Sequence, residues 1–159
     1  MAPKIELVPT KKLAGKRIKT SLAENMTFSL WKSFKQMQHE IESINSDYYS
    51  VEIYDGIVDY KSFTPNTPFE KWAAKEVKNF DHIPPGMETL LIPAGLYAVF
   101  IHKGTPASFP DTANHIFNTW LPSSDYILDN RPHFEVMDEN YRPNDENASE
   151  QIWVPIKLK

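Results

Sequence analysis

The sequence lacks cysteine altogether and has only five glycines in 159 residues. The absence of cysteine excludes disulfide bonds, thiolate nucleophiles and thiolate metal sites. So few glycines leave little room for a phosphate-binding loop, and neither a Walker motif nor a GxGxxG motif is present. The five histidines do not fall in the HxH, HxxxH or HExxH spacings of metal ligands. We therefore predict no metal site and no cofactor.

Long apolar runs are also missing. The most apolar stretch, residues 89–103, is interrupted by Pro93 and Gly95 and is too short to span a bilayer. The first residues have no apolar signal core. Acidic residues outnumber basic ones by 21 to 17, for a formal net charge of −4. These features predict a soluble, cytoplasmic protein that binds neither membranes nor nucleic acid directly.

Aromatic residues, by contrast, are abundant. Nine Phe, seven Tyr and four Trp make up 13% of the chain. Such side chains supply large flat contact areas with optional polar tips, which suits both a core and a ligand pocket. Basic residues concentrate in residues 11–19, where they alternate with apolar ones. This alternation predicts an edge strand with a solvated face.

The hydrophobic pattern predicts helices and strands in alternation. Apolar residues spaced three and four apart predict helices over residues 26–41 and 109–121, the second ended by Pro122. Residues 70–78 have a helix-favouring composition, but the internal repeat favours a strand there. A loop is predicted from Pro122 to Pro132. The other predicted strands are residues 4–8, 12–22, 48–55, 88–103, 133–138 and 150–158.

The two halves of the chain show the same order of elements: strand, helix, strand, strand. This order predicts a single domain, residues 1–159, built from one pseudo-repeat over about 4–80 and another over about 87–158. The predicted fold is α+β: the duplicated units form an antiparallel sheet with two helices on one face and a pocket at the pseudo-twofold junction. The alignment superposes Ala14-Gly15 on Ala94-Gly95, Glu52 on Glu135, and Trp72 on Trp153.

Four motifs resemble the GyrI-like effector-binding domain, which occurs at the C-terminus of bacterial AraC-type and MerR-type transcription regulators and as a stand-alone protein. They are IPAGLYAVFIHKG (92–104), TWLPSSDY (119–126), RPHFEVMD (131–138) and QIWVPIK (151–157). The resemblance implies a central pocket for amphipathic, often cationic compounds, with an acidic residue among aromatic ones. It maps the acidic residue to Glu135 and an aromatic one to Tyr97. Gln151 stands where the family often has glutamate. The predicted domain begins almost at the first residue, so we expect no DNA-binding module before it.

Glu52 and Glu135 are the leading candidates for ligand binding. Each lies in mid-strand between apolar neighbours, where a carboxylate among aromatic walls would attract a cation. The alternative is a solvated face of an open sheet. Gln151 is a candidate hydrogen-bonding residue, and its alternative is an exposed strand position. The candidates for the aromatic walls, which plain core packing would also explain, are Tyr54, Trp72, Tyr97, Trp120 and Trp153.

Three functions remain open from the sequence. The first, which we favour, is the sensing or sequestration of a hydrophobic or amphipathic small molecule, including cationic ones, by a binding protein rather than an enzyme. The second is hydrolysis of reactive strained-ring compounds, with Glu135 and Tyr97 as the catalytic pair. The third is an interaction with a protein partner, such as the protection of gyrase from toxins.

Overall fold

The computed structural model describes residues 2–159. Among these residues, no helix is long and apolar enough to cross a membrane. Helix α1 (Thr27–Met37) leads into a short 3₁₀ turn, and the second helical segment joins α2 (Phe109–Asn114), a π-helical stretch (His115–Trp120) and α3 (Leu121–Ser123). The strands are β1 (Lys4–Val8), β2 (Lys11–Thr20), β3 (Tyr48–Ile53), β4 (Phe69–Glu76), β5 (Glu88–Ile92), β6 (Gly95–Lys103), β7 (Tyr126–Leu128), β8 (His133–Met137) and β9 (Ser149–Leu158).

Helix α1 forms where the sequence supplies both a start signal and an apolar face. The Asn25 side chain accepts a hydrogen bond from the Thr27 backbone N–H at 2.9 Å, which satisfies a donor that the helix leaves free. Leu30 and Phe34, one helical turn apart, are the buried residues of α1. They pack on Ala14 of β2 and on β4, which holds the helix against the sheet.

The strands form one antiparallel sheet in the order β1-β6-β9-β8-β3-β4-β2-β5, with β7 added alongside β9. The strand order is the same from either end of this path. The strands β1, β6, β9 and β8 from one end correspond to β5, β2, β4 and β3 from the other. The centre is the pairing of β3 with β8. Each half also contributes one strand to the other, because β1 pairs with β6 and β5 pairs with β2.

The two ends of the sheet must lie close together. Strand β5 is the last strand at one end of the order and β6 is the second strand from the other end, yet only Pro93 and Ala94 join them. Pro9 and Thr10 likewise join β1 to β2. A link of this length spans at most about 11 Å between flanking Cα atoms. The sheet is therefore rolled into a nearly closed barrel, which explains how side chains on its helix-free face are buried.

The barrel has an interior and a helix-covered outer face. We call the group that fills the inside the interior cluster: Val8, Leu13, Tyr49, Val51, Trp72, Ala74, Ile92, Tyr97 and Phe134. On the outer face, α1 covers one half of the sheet and the second helical segment covers the other half, including Ala98, Phe100 and Ile152. Gly15 allows β2 to approach β4 closely, because a Cβ there would lie 2.1 Å from the Ala73 carbonyl oxygen.

The α+β fold, both helical regions and the strand at residues 70–78 are confirmed, while four predictions of detail are wrong. Residues 88–103 form two strands, β5 and β6, because Pro93 cannot donate to a ladder and the chain crosses there between the two ends of the sheet. Strand β2 lies between β4 and β5, since alternating charge reveals a solvated face but not an edge. The predicted loop contains β7, and the helix continues through Pro122 to Ser123.

The register of the two halves stays a prediction. Across the centre of the sheet, Val51 of β3 is paired with Phe134 of β8. On the next strands outward, Val51 is paired with Trp72 and Phe134 with Trp153.

Candidate functional site

A row of buried polar side chains crosses the centre of the sheet on its outer face, where β3 meets β8. Ser50 is paired with Glu135, and Glu52 is paired with His133. All four residues are at most 9% exposed. Because side chains alternate along a strand, these four point to the helix-covered face, while the residues between them belong to the interior cluster. The row therefore lies in the groove between α1 and the second helical segment.

Lys71 supplies the positive charge of this row. It lies on β4 opposite Glu52, and its Nζ is 2.8 Å from the Glu52 Oε2. Only 12% of the Lys71 side chain and 11% of the Glu52 side chain are exposed. Burial alone would lower the pKa of Lys71, but the acidic groups beside it, Glu52 above all, outweigh burial, and the pKa is raised. Lys71 is therefore a charged ammonium group that neutralises Glu52.

Glu135 differs from Glu52 in having no cation of its own. Within residues 2–159, no lysine or arginine forms an ion pair with it, and the carboxyl of Glu52 acts on it electrostatically instead. Burial, and then the neighbouring charge of Glu52, raise the pKa of Glu135 well above its usual range, although Lys71 opposes the shift. Such a carboxyl holds its proton until a positive charge arrives beside it.

Aromatic rings surround the row. Tyr54, just after β3, meets the ring of His133 edge-on at 5.1 Å and contacts Phe63 and Phe69. Burial lowers the pKa of His133 to about 4, so its imidazole is neutral at pH 7. Burial, and then the charge of Glu52, raise the pKa of Tyr54 well above its usual range, so its hydroxyl remains protonated. The site thus combines carboxyls with flat apolar walls.

The segment joining β3 to β4, residues 54–68, covers the row, and we call it the cover loop. Tyr60 of this loop stacks on Phe117 of the π-helical stretch, with ring centroids 5.3 Å apart and planes 17° apart. Val58 packs on the apolar cluster beneath the second helical segment. Two surface cavities, of about 310 and 170 Å³, lie elsewhere and are lined by residues around Thr20 and around Lys78. The polar row itself is closed over by side chains, since its four residues are at most 9% exposed.

The structure brings together some of the predicted site residues and separates others. Glu52, Glu135 and Tyr54 lie side by side. Trp120 lies on the second helical segment, where it packs on Phe100 and Tyr126.

The side chains of four other candidates point away from Glu135, to the opposite face of the sheet: Trp72, Tyr97, Gln151 and Trp153. Trp72 and Tyr97 belong to the interior cluster, and Trp153 packs against it while its indole N–H donates to Gln151 at 3.1 Å. Tyr97 is fully buried, and its hydroxyl donates to the Pro132 carbonyl at 2.8 Å. The sequence gives no means of seeing this, because the predicted open sheet has no interior.

Three residues of the site were not identified from the sequence. Lys71 and His133 meet Glu52 only through cross-strand pairing, which depends on the register of the repeat. Phe117 falls within the predicted helix of residues 109–121, and its contact with Tyr60 depends on the path of the cover loop. Their type and position within strands and helix carry no signal that separates them from ordinary surface or core residues.

Comparison with known proteins agrees with this geometry. A family model described as the GyrI-like small molecule binding domain matches residues 1–157. The chain belongs to this family. Over 128 residues, the GyrI-like chain is 30% identical to the transcriptional regulator BrlR of Pseudomonas aeruginosa, and the match covers 80% of the chain but 45% of BrlR. The chain thus spans about half the length of this curated relative.

Solved structures share the fold of this GyrI-like chain. The structure of SAV2435 bound to tetraphenylphosphonium has a TM-score of 0.74 at 14% identity, covering 99% of this chain and 94% of that one. The C-terminal domain of EcmrR has a TM-score of 0.70 at 16% identity, covering 99% and 98%. The chain is therefore a small-molecule binding domain of a family that includes parts of transcription regulators.

Proposed function

We propose that this domain binds a lipophilic cation in the groove between α1 and the second helical segment, as the effector site of a sensing or sequestering protein. The observation that carries the proposal is Glu135, a buried carboxyl without an ion-pairing partner among the described residues, flanked by aromatic rings. A cation beside it would lower the pKa of Glu135 and ionise it. The negative charge would then form only when the ligand is present to balance it.

The aromatic rings supply the second part of the recognition. A lipophilic cation buries apolar surface against the rings while its charge interacts with their faces. Tyr54, Phe63 and Phe117 contact one another or His133 around the polar row. The ligand enters by displacing the cover loop, because side chains close the site in its absence. The binding of tetraphenylphosphonium by SAV2435, which has the same fold, supports this class of ligand.

Calorimetric titration with tetraphenylphosphonium tests the proposal. Glu135→Gln keeps the size of the side chain but cannot ionise, so we expect it to weaken binding by roughly tenfold or more. Glu146→Gln is the matched control at an exposed position and should leave binding unchanged. Triphenylphosphine oxide, which is aromatic but neutral, should bind more weakly than the cation and should be insensitive to Glu135→Gln. Equal binding of tetraphenylphosphonium by wild type and Glu135→Gln would contradict the proposal.

A second candidate function is hydrolysis of reactive strained-ring compounds. The observation that favours it is the Glu52–Glu135 pair, in which one carboxyl is ion-paired and its neighbour holds a proton. Paired carboxyls in different protonation states are typical of acid–base catalysis. In this mechanism Tyr54 would donate the proton rather than Tyr97, because Glu52 and Glu135 act on Tyr54, whereas the Tyr97 hydroxyl donates to the Pro132 carbonyl. Release of more than one equivalent of product per protein from an electrophilic cyclopropane would establish turnover, whereas stoichiometric protection would indicate binding alone.

A further inference from the structure

Strand β4 carries two lysines on the outer face of the barrel, and their surroundings differ. The ammonium group of Lys71 lies 2.8 Å from Glu52. Lys75 lies four residues further along β4 on the same face. It is buried, and its Nζ lies 4.6 Å from the centre of the Tyr48 ring. Lys71 is thus the lysine that acts on the carboxyls of the candidate site, and Lys75 is a lysine of similar burial outside it.

The charges of the site balance when no ligand is present. Lys71 neutralises Glu52, and Glu135 holds its proton. His133 is neutral because burial lowers its pKa to about 4. Three other groups interact electrostatically with Glu135. They are Glu150 of β9, which lies opposite His102 in the pairing of β6 with β9, and the hydroxyls of Tyr54 and Tyr141.

This balance limits how much positive charge the site can accept. One ligand charge can be compensated when Glu135 releases its proton. A second ligand charge beside Glu135 would need the carboxylate of Glu52, because Glu150 acts on Glu135 more weakly than Glu52 does. The ammonium of Lys71 already occupies the position beside Glu52. An uncompensated charge in a buried site is strongly unfavourable.

We propose that Lys71 determines the number of positive charges on the ligand: with its ammonium on Glu52, the site accepts a cation with one charge and discriminates against a matched dication. This inference rests on the proposed function, because it assumes that cations bind beside Glu135. In this proposal Lys71 determines specificity through its ion pair with Glu52, and Glu52 is the residue that faces the ligand. A lysine that only stabilises the fold would affect unfolding without changing the preference between the two charge types.

Ethidium and propidium test the role of Lys71, because they share a phenanthridinium ring but carry one and two positive charges. Fluorescence titration of the full chain should show propidium binding more weakly than ethidium by roughly tenfold or more. Lys71→Met removes the competing ammonium and should reduce that ratio by a similar factor. Lys75→Met removes the same charge from the same face of β4 and should leave the ratio unchanged.

Two further variants separate charge from packing. Lys71→Gln keeps a hydrogen-bond donor to Glu52, so it tests the role of the charge even where Lys71→Met fails to fold, and it should also reduce the ratio. Glu52→Gln with Lys71→Met removes both charges of the pair and should restore the wild-type ratio. A folded Lys71→Met or Lys71→Gln variant with the wild-type ratio overturns the role of Lys71.

The test distinguishes this inference from the proposed function. Ethidium binding that depends on Glu135, combined with a ratio that Lys71→Gln does not change, overturns only the role of Lys71. Ethidium binding that Glu135→Gln leaves unchanged, or no binding of ethidium by wild type, overturns the proposed function, and the role of Lys71 falls with it. A ratio that changes in Lys71→Gln but not in Lys75→Met supports both.

Discussion

Glu135 and His133 lie two residues apart on β8, and both are buried in uncharged form. For the carboxyl, burial favours the protonated state, so its pKa is raised; for the imidazole, burial favours the deprotonated state, so its pKa is lowered. The two groups therefore make the stability of the fold depend on pH in opposite directions, and each direction can be measured separately.

Glu135→Gln should flatten the pH dependence of the free energy of unfolding at pH values above the usual carboxyl pKa. Between the usual carboxyl pKa and the raised pKa of Glu135, the unfolded chain loses a proton that the folded protein keeps. Stability therefore falls as pH rises through this window, by up to about 1.4 kcal/mol per pH unit. In urea unfolding, the stability of the variant relative to wild type should increase as the pH rises above the usual carboxyl pKa. Parallel curves for the two proteins, with Glu146→Gln as control, would rule out a protonated Glu135.

His133→Gln should remove a loss of stability on the acid side. The unfolded chain binds a proton below pH 6.5, whereas folded His133 does so only near its pKa of about 4. Wild-type stability should consequently fall as pH drops through this window, by about 3 kcal/mol in total from this residue. The urea midpoint of the variant should change less between pH 7 and pH 4.5. The exposed His39 serves as control, and a His39→Gln variant should follow the wild-type curve.

At the scale of single elements, the cover loop controls access to the polar row. Its Tyr60 stacks on Phe117, and an aromatic pair of this kind contributes about 0.5–1.5 kcal/mol. Tyr60→Ala should therefore populate the open loop more often and speed the association of tetraphenylphosphonium by roughly twofold to tenfold. Stopped-flow fluorescence quenching measures this rate. Phe28→Ala, at a ring that is 80% exposed on α1, should leave it unchanged.

An association rate that Tyr60→Ala leaves unchanged would show that the ligand enters by another path. A slower rate would indicate that Tyr60 contacts the ligand directly. The equilibrium affinity separates a residue that only closes the site from one that contacts the ligand. A residue that only closes the site changes the association and dissociation rates together and leaves the affinity unchanged, whereas loss of a direct contact lowers the affinity.

Elements with a strong hydrophobic period were predictable from the sequence, and those set by tertiary context were not. Leu30 and Phe34 identify α1 at helical spacing, and the strand at residues 70–78 followed from the repeat despite its helix-favouring residues. Strand β7 has only three residues, Tyr126–Leu128, and forms because β9 offers it a partner. No local pattern of three residues can indicate such a partner.

The candidate site was predictable in its acidic residues but not in its charge balance. Glu52 and Glu135 are recognisable as carboxyls inside apolar strands. The ion pair of Glu52 with Lys71 requires the pairing of β3 with β4, and the placement of Trp72 and Tyr97 in the interior requires a closed barrel. Closure depends on the exchange of β1 and β5 between the halves, which no alternation of apolar and polar residues reveals.

At the scale of the whole molecule, neither half contains all the strands that it pairs with. The first half gives β1 to β6 of the second and receives β5 beside its β2. A fragment of residues 2–80 should therefore show no cooperative thermal unfolding by circular dichroism, and the same should hold for residues 81–159. Co-expressed, the two fragments should assemble and unfold cooperatively. A monomeric fragment that unfolds cooperatively on its own would show that the halves are independent.

The exchange of strands also has a consequence during synthesis. Lys4 pairs with Val99, so β1 leaves the ribosome long before its partner β6 exists. At about 5–20 residues per second, this interval lasts roughly 5–20 s. An unpaired strand is an aggregation hazard, and charged residues on it are a known protection. Lys4 and Glu6, which alternate with Ile5 and Leu7 along β1, place such charges on the segment that is unpaired the longest in the nascent chain.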